Sequence, residues 1–109
     1  MKIFHSMALN NRTPEQIAED RRKHHAWIKE NYPDAEILTT FIDDPPPEVR
    51  TKPLWYFGKD VMDHLSQADL LVVPYDWPSI RGVKCVVYVA RHYGVDIVVM
   101  SDFDAPEED

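Results

Sequence analysis

The chain has 109 residues, a net charge of −7 at neutral pH and a single cysteine. This length predicts one domain, and one cysteine within the sequence excludes an intrachain disulfide and a cysteine-rich zinc site. We expect Cys85 to be a buried, inert thiol. No apolar run reaches the roughly 20 residues that cross a bilayer, and no signal-peptide pattern is present, so we expect a cytoplasmic protein that binds no membrane. Lysine and arginine form no basic stripe, which argues against binding of duplex nucleic acid.

The first half of the chain predicts a strand, a helix and a second strand. Residues 1–6 have an apolar centre and favour a short buried strand. Thr13 then begins a helix that runs to about residue 31, as the N-cap of a capping box that Gln16 completes. Residues 36–42 are rich in β-branched side chains and predict the next strand.

The second half predicts a loop, a helix and two more strands. Residues 43–52 are acidic and rich in proline, which excludes the interior of a helix or sheet. Residues 53–67 carry apolar side chains at helical spacing. Residues 69–74 are almost wholly apolar, which is typical of a parallel strand buried on both faces. Residues 96–100 predict the last strand.

Residues 83–89, VKCVVYV, are compatible with either a strand or a helix. Their β-branched side chains favour a strand. The apolar positions also fall on one helical face, and Gly94 suits the position that follows a helix C-terminus. We therefore predict a helix over residues 79–93.

Strands that alternate with helices predict a parallel sheet with right-handed crossovers. The expected fold class is α/β: a single three-layer (αβα) domain over residues 1–100, with a flavodoxin- or Rossmann-like sheet of about four parallel strands. An acidic tail, residues 101–109, follows it. The loops after the first three strands then meet at the carboxyl edge of the sheet, where such folds bind ligands.

Several separate motifs resemble those of a known family. They are MKIFHSMALNNRTPEQI, KPLWYFGKD, QADLLVV, and the group Arg81, Gly82, Ala90, Tyr93 and Gly94. Together they cover residues 1–100 and resemble a small family of unknown function that is common in phage genomes. That family is in turn similar to the nucleoside 2-deoxyribosyltransferase superfamily, whose members are commonly homo-oligomers that complete each other's pockets.

The resemblance implies a position for the attacking glutamate of these enzymes, and this chain has no carboxylate there. The position is occupied by Val86, and that of a second family glutamate by Tyr88. Valine cannot attack the anomeric carbon of a nucleoside. We therefore expect no catalytic residue, no cofactor and no metal site, and predict a binding protein for a nucleotide or nucleoside derivative, for example a phage protein that sequesters a nucleotide signal.

Two alternatives stay open at this point. The chain is an active N-glycosidase or 2-deoxyribosyltransferase if another carboxylate replaces the lost one, with Asp60, Asp76 and Asp43 as candidates. It is an interaction module if the pocket is vestigial. Ligand binding separates the first reading from the last, and release of free base separates the binder from the enzyme.

The resemblance and the loop chemistry together predict a set of ligand-binding residues. Arginine offers bidentate contacts to phosphate, glycine allows close approach of a backbone, a serine before the third helix serves as a cap or phosphate donor, and a tryptophan stacks on a base. The predicted contacts are Ser6, Met7, Asn11, Arg12, Asp60, Trp77, Ser79, Arg81 and Gly82.

Histidines and aromatic residues complete the sequence predictions. His5 ends the first strand and is expected to be a satisfied core histidine, with Asp43 and Asp44 as possible neighbours across the loops. His24 and His25 are adjacent in a helix, so we expect them to point apart and to form no metal pair. The cluster of Leu54, Trp55 and Phe57 is large for one helix to bury and predicts a homo-oligomer surface.

Overall fold

The structure, a computed structural model, describes residues 1–9, 12–39 and 46–101. It contains the expected parallel sheet of four strands, here named β1 (Lys2–His5), β2 (Glu36–Thr39), β3 (Leu70–Val73) and β4 (Asp96–Val99). The strands lie in the order β2-β1-β3-β4, and each neighbouring pair is parallel. The predicted α/β fold class with a flavodoxin- or Rossmann-like layout is confirmed.

Three helices connect the strands: α1 (Pro14–Asn31), α2 (Pro53–Asp63) and α3 (Arg81–His92). The capping box at the start of α1 is present, with Thr13 and Gln16 exchanging hydrogen bonds as predicted. The second helix is shorter than expected. It ends at Asp63, and a separate 3-10 helix (Leu65–Gln67) follows before β3.

The sheet separates two hydrophobic clusters, one on each face. On one face α1 contributes Ile28, which packs with Ile3 and Val72 of the sheet. On the other face α2 and α3 cover Phe4 and Leu71. Because side chains alternate along a strand, consecutive residues of β1 pack into opposite clusters. The sheet and the helices on its two faces therefore form three layers.

The ambiguous segment is helical because one of its faces is buried. Val83, Val86, Val87 and Ala90 are each no more than 2% exposed and belong to the cluster that covers Leu71. A helix places these four positions on one side, whereas a strand would turn neighbouring positions to opposite faces. Gly94 has a φ of 74°, the left-handed conformation that favours glycine after a helix.

The strand order defines where a ligand site is expected. After β1 the chain crosses to β2 on one side, and after β3 it crosses to β4 on the other side. The crevice beyond the carboxyl ends of β1 and β3 is therefore the topological switch point. Ser6 extends the pairing there, since its amide donates to the carbonyl of Val72 over 3.2 Å. Within the described residues no helix is long and apolar enough to cross a membrane.

Candidate functional site

A cleft of about 1270 Å³ opens at the carboxyl edge of the sheet, between the N-terminal parts of the three helices. Residues 6–9, which follow β1, form its floor, and α1, α2 and α3 each supply a wall. The described lining residues are Ser6, Met7, Ala8, Leu9, Pro14, Ile17, Ala18, Arg21, Arg50, Thr51, Pro53, Leu54, Tyr56, Phe57, Asp60, Ser79, Ile80, Arg81, Gly82, Cys85 and Val86.

Three arginines from separate elements line this cleft together with one acidic residue, Asp60. Arg21 comes from α1, Arg50 from the turn before α2, and Arg81 from the start of α3. A hydrogen bond ties the backbone of Arg50 to α2, because the hydroxyl of Tyr56 donates to the carbonyl oxygen of Arg50 over 3.0 Å. The lining is therefore locally basic on a chain whose net charge is −7.

Two residues on the wall formed by α3 decide which reactive side chains this wall offers to a ligand. Val86, where the sequence resemblance implies the attacking glutamate, lines the cleft and is 2% exposed. Cys85 is exposed and also lines the cleft, so the expectation of a buried thiol is wrong. The turn of α3 that buries Val86 and Val87 against the sheet carries Cys85 outward.

A second, smaller cavity of about 250 Å³ adjoins the cleft, and Ala8 and Ile80 line both. We call it the side pocket. It lies on the α1 side of the switch point and is polar. Its other described lining residues are Arg12, Asp20, Lys23, His24, Pro74, Tyr75, Asp76 and Ser101.

The side pocket receives Arg12, and an acidic residue already engages its guanidinium. Arg12 forms an ion pair with Asp20 of α1, and both side chains remain partly exposed. A ligand anion at Arg12 must therefore compete with this carboxylate.

A buried histidine pair lies beside the side pocket, and one of its two members lines it. His5 is fully buried at the end of β1, and its Nε2 lies 2.7 Å from Nδ1 of His24, which lines the pocket. The ring of His25 also meets His5 edge-on, with centroids 5.3 Å apart. Adjacent histidines of α1 were expected to point apart, yet both reach His5, because His5 lies beneath the helix between them.

Burial disfavours the protonated form of this cluster. It lowers the pKa of His5 well below the ordinary value of 6.5, and the nearby His24, His25 and Arg21 lower it further. Burial also lowers the pKa of His24, although the carboxylates of Asp20 and Asp76 oppose the change. Nδ1 of His5 is buried and makes no hydrogen bond to any described residue, so the expected satisfied core histidine is only half satisfied.

Six of the predicted ligand residues line the cleft: Ser6, Met7, Asp60, Ser79, Arg81 and Gly82. Arg12 lies in the side pocket instead. Trp77 lines neither cavity; it packs against the core, and the guanidinium carbon of Arg91 lies 5.3 Å from its ring centroid. Asn11 lies outside the described residues, as do Asp43 and Asp44.

One predicted role at the start of α3 needs correction, and the predicted close approach of a ligand at Gly82 stays a prediction. Ser79 does not cap the helix: its hydroxyl donates to the carbonyl of Asp76, and the N-cap residue is Ile80, which makes no side-chain capping bond. At Gly82 an added Cβ would meet nothing within 4 Å, so packing within the protein does not require glycine at this position.

The sequence-based site omitted Arg21 and Arg50. Arg21 stands on the otherwise apolar and histidine-bearing face of α1, and a charged residue on such a face is a usable signal for a site. Arg50 follows a proline-rich segment, where no periodicity indicates direction.

Comparison of the chain with protein-family models, with curated proteins and with solved structures finds no match. The resemblance to the phage family therefore stays a prediction. No group of three or more histidine, cysteine, aspartate or glutamate residues within the described part of the chain is arranged to hold a metal ion.

Proposed function

We propose that the protein binds a nucleotide-like anionic ligand in the cleft and does not cleave it. The observation that carries this proposal is the convergence of Arg21, Arg50 and Arg81 on one largely apolar cavity in an acidic chain. Guanidinium groups suit phosphate oxygens because they offer paired donors in one plane. Apolar walls suit the flat face of a base.

The start of α3 adds further donors. No side chain caps this helix, in contrast to α1 with its capping box. The first amides of a helix lack partners within the helix and favour an anion. Ile80, Arg81 and Gly82 all line the cleft, which supports a phosphate-binding role for this helix start.

The absence of cleavage is proposed from the character of the α3 wall. Val86 provides no carboxylate, and Asp60 is the acidic residue among the described lining residues. A protein that holds its ligand without changing it acts by lowering the free ligand concentration. Sequestration of a nucleotide signal, which the sequence resemblance implies, is a function of this kind.

We also propose that the first turn of α2 contacts a second copy of the chain. Leu54 is 79% exposed and Met62, two turns along, is 71% exposed. Gly58 lies between them, and a Cβ there would meet nothing within 4 Å. Phe57, which the sequence assigned to this surface, instead packs partly against the core. Since Leu54 also lines the cleft, a second copy there would border the ligand.

The cleft assignment is tested by calorimetry against mononucleotides and dinucleotides. We expect Arg81→Ala to weaken binding by about 1.5–3 kcal/mol, because a contact between charged groups is lost. Lys84→Ala is the matched control, since Lys84 is an exposed cation on the same helix that does not line the cleft. Equal losses in both variants, or no binding below millimolar by the wild type, would overturn the assignment.

The single thiol gives a second readout. Cys85 is exposed and lines the cleft, so a bound ligand should slow its alkylation, and Arg81→Ala should remove this protection at the same ligand concentration.

The absence of cleavage is tested separately, by chromatography of the same mixtures, which detects free base. Turnover in the usual enzyme range, on the order of one per second, contradicts a non-catalytic binder.

A further inference from the structure

A buried pair of imidazoles adjoins the side pocket, and His24 is the member that lines it. His5 is fully buried and His24 is 9% exposed, and they are joined by a hydrogen bond of 2.7 Å. A buried polar pair with an unsatisfied atom costs stability. An apolar side chain at the fully buried position 5 would not carry such a cost.

The hydrogen bond links the protonation of the two rings. With both rings neutral, the better arrangement has Nε2–H of His5 donating to Nδ1 of His24, because an unpaired acceptor at Nδ1 of His5 costs less than an unpaired donor. If His24 gains a proton, both of its nitrogens donate, so His5 must carry its own proton on Nδ1 instead of Nε2 to become the acceptor, and the anion has to offset the cost of that unpaired Nδ1–H. The pair keeps its hydrogen bond in either state.

The charges around His24 balance before it is protonated. Arg12 and Lys23 bring two positive charges to the side pocket, and Asp20 and Asp76 bring two negative ones. Among the described residues, His25, beside His24 on α1, and Arg21, near His5, are further charged or titratable groups close to the pair, and the phenol of Tyr75 also lines the pocket. A proton on His24 would therefore give the pocket a net positive charge.

We propose that the side pocket is an anion site, separate from the ligand cleft, in which a phosphate-like group binds together with a proton on His24. The anion displaces Asp20 from Arg12 and gains the protonated imidazole as a second partner. His5 acts as a positioning residue: it holds the ring of His24, and its Nε2 accepts the hydrogen bond from Nδ1–H of His24 when the site is filled.

This proposal predicts that anion binding takes up a proton. Sulfate is a suitable probe because it does not itself titrate near neutral pH. Calorimetry of sulfate binding in buffers with different ionisation enthalpies gives the number of protons taken up. We expect up to one proton per sulfate and an affinity that rises as pH falls from about 8 to 6, by up to about tenfold per unit for a single linked proton.

Variants assign the proton to one residue. His24→Gln should abolish proton uptake, and His5→Phe should reduce it because the ring of His24 loses its acceptor. His25→Gln is the matched control, since His25 also meets His5 but does not line the pocket. Sulfate can also bind in the arginine-lined cleft, so the discriminating readout is the proton uptake: Arg81→Ala changes the cleft alone and should leave the proton uptake at His24 intact, which separates this proposal from the proposed function.

A titration of the wild type does not depend on how well the variants fold. The imidazole resonances of His24, followed by NMR, should move to a higher apparent pKa when sulfate is present. Sulfate binding without proton uptake, an unchanged titration of His24, or uptake that survives in His24→Gln would each overturn the proposal.

Discussion

At the scale of single residues, His5 shows how one buried side chain makes folding depend on pH. Its ring is enclosed by the sheet and α1, with Nδ1 unsatisfied among the described residues. In the unfolded chain the same imidazole is hydrated and takes up a proton near pH 6.5. The folded protein resists that proton, so acidification favours the unfolded state.

The sign of this linkage gives a prediction. The contribution of neutral His5 to the free energy of unfolding is complete above the ordinary pKa of 6.5. It is lost as pH falls below that value, because the unfolded state then binds more protons than the folded state. A single proton makes the free energy of unfolding fall by up to about 1.4 kcal/mol more per pH unit. We expect His5→Leu to flatten the fall in unfolding free energy between about pH 6.5 and 5, measured by urea denaturation.

The control for this measurement is His92→Gln, which replaces an exposed histidine at the end of α3. It should leave the pH profile unchanged. A profile for His5→Leu as steep as that of the wild type would show that the acid loss arises elsewhere. The hydrogen bond lost from His24 lowers stability at all pH values, by about 1 kcal/mol, and so does not mimic the change in slope.

At the scale of elements, the helices and strands followed from patterns in the sequence, and the site followed only in part. The capping box of Thr13 and the buried face of α3 are local signals, so their positions could be predicted. The pairing of His5 with His24 depends on how α1 crosses over β1, which a local pattern does not contain. Trp77 shows the converse, since an aromatic residue in a site loop turned to the core instead.

Helix α2 offers a prediction at the same scale. Leu54→Asp should convert the proposed oligomer to monomers in light scattering, because a carboxylate would be desolvated at the proposed contact. Tyr88→Asp is the control: Tyr88 is 65% exposed on α3, where it stacks with His92. A wild type that is monomeric at high concentration, or a Leu54→Asp variant that still associates, argues against the contact.

At the scale of the whole molecule, the sheet order brings the two cavities together. The connection from β1 to β2 and the connection from β3 to β4 run in opposite directions. They leave a crevice between the ends of β1 and β3 that neither α1 nor α3 fills. The cleft and the side pocket share Ala8 and Ile80 as walls. A ligand long enough to pass these residues would occupy both cavities.

The contrast between the acidic chain and its arginine-lined cleft has a kinetic consequence. An approaching anion meets the field of a net charge of −7 first, and the guanidinium groups act only near contact. Salt at about 0.1 M limits electrostatic interactions to about 10 Å, so it screens the distant repulsion more than the contacts inside the cleft. We expect stopped-flow association rates of an anionic ligand to rise between about 0.02 and 0.3 M salt. A basic surface that attracts the ligand would instead make the association rate fall as the salt concentration rises. For this chain, dissolved ions would speed the encounter because they screen the repulsion from its net negative charge.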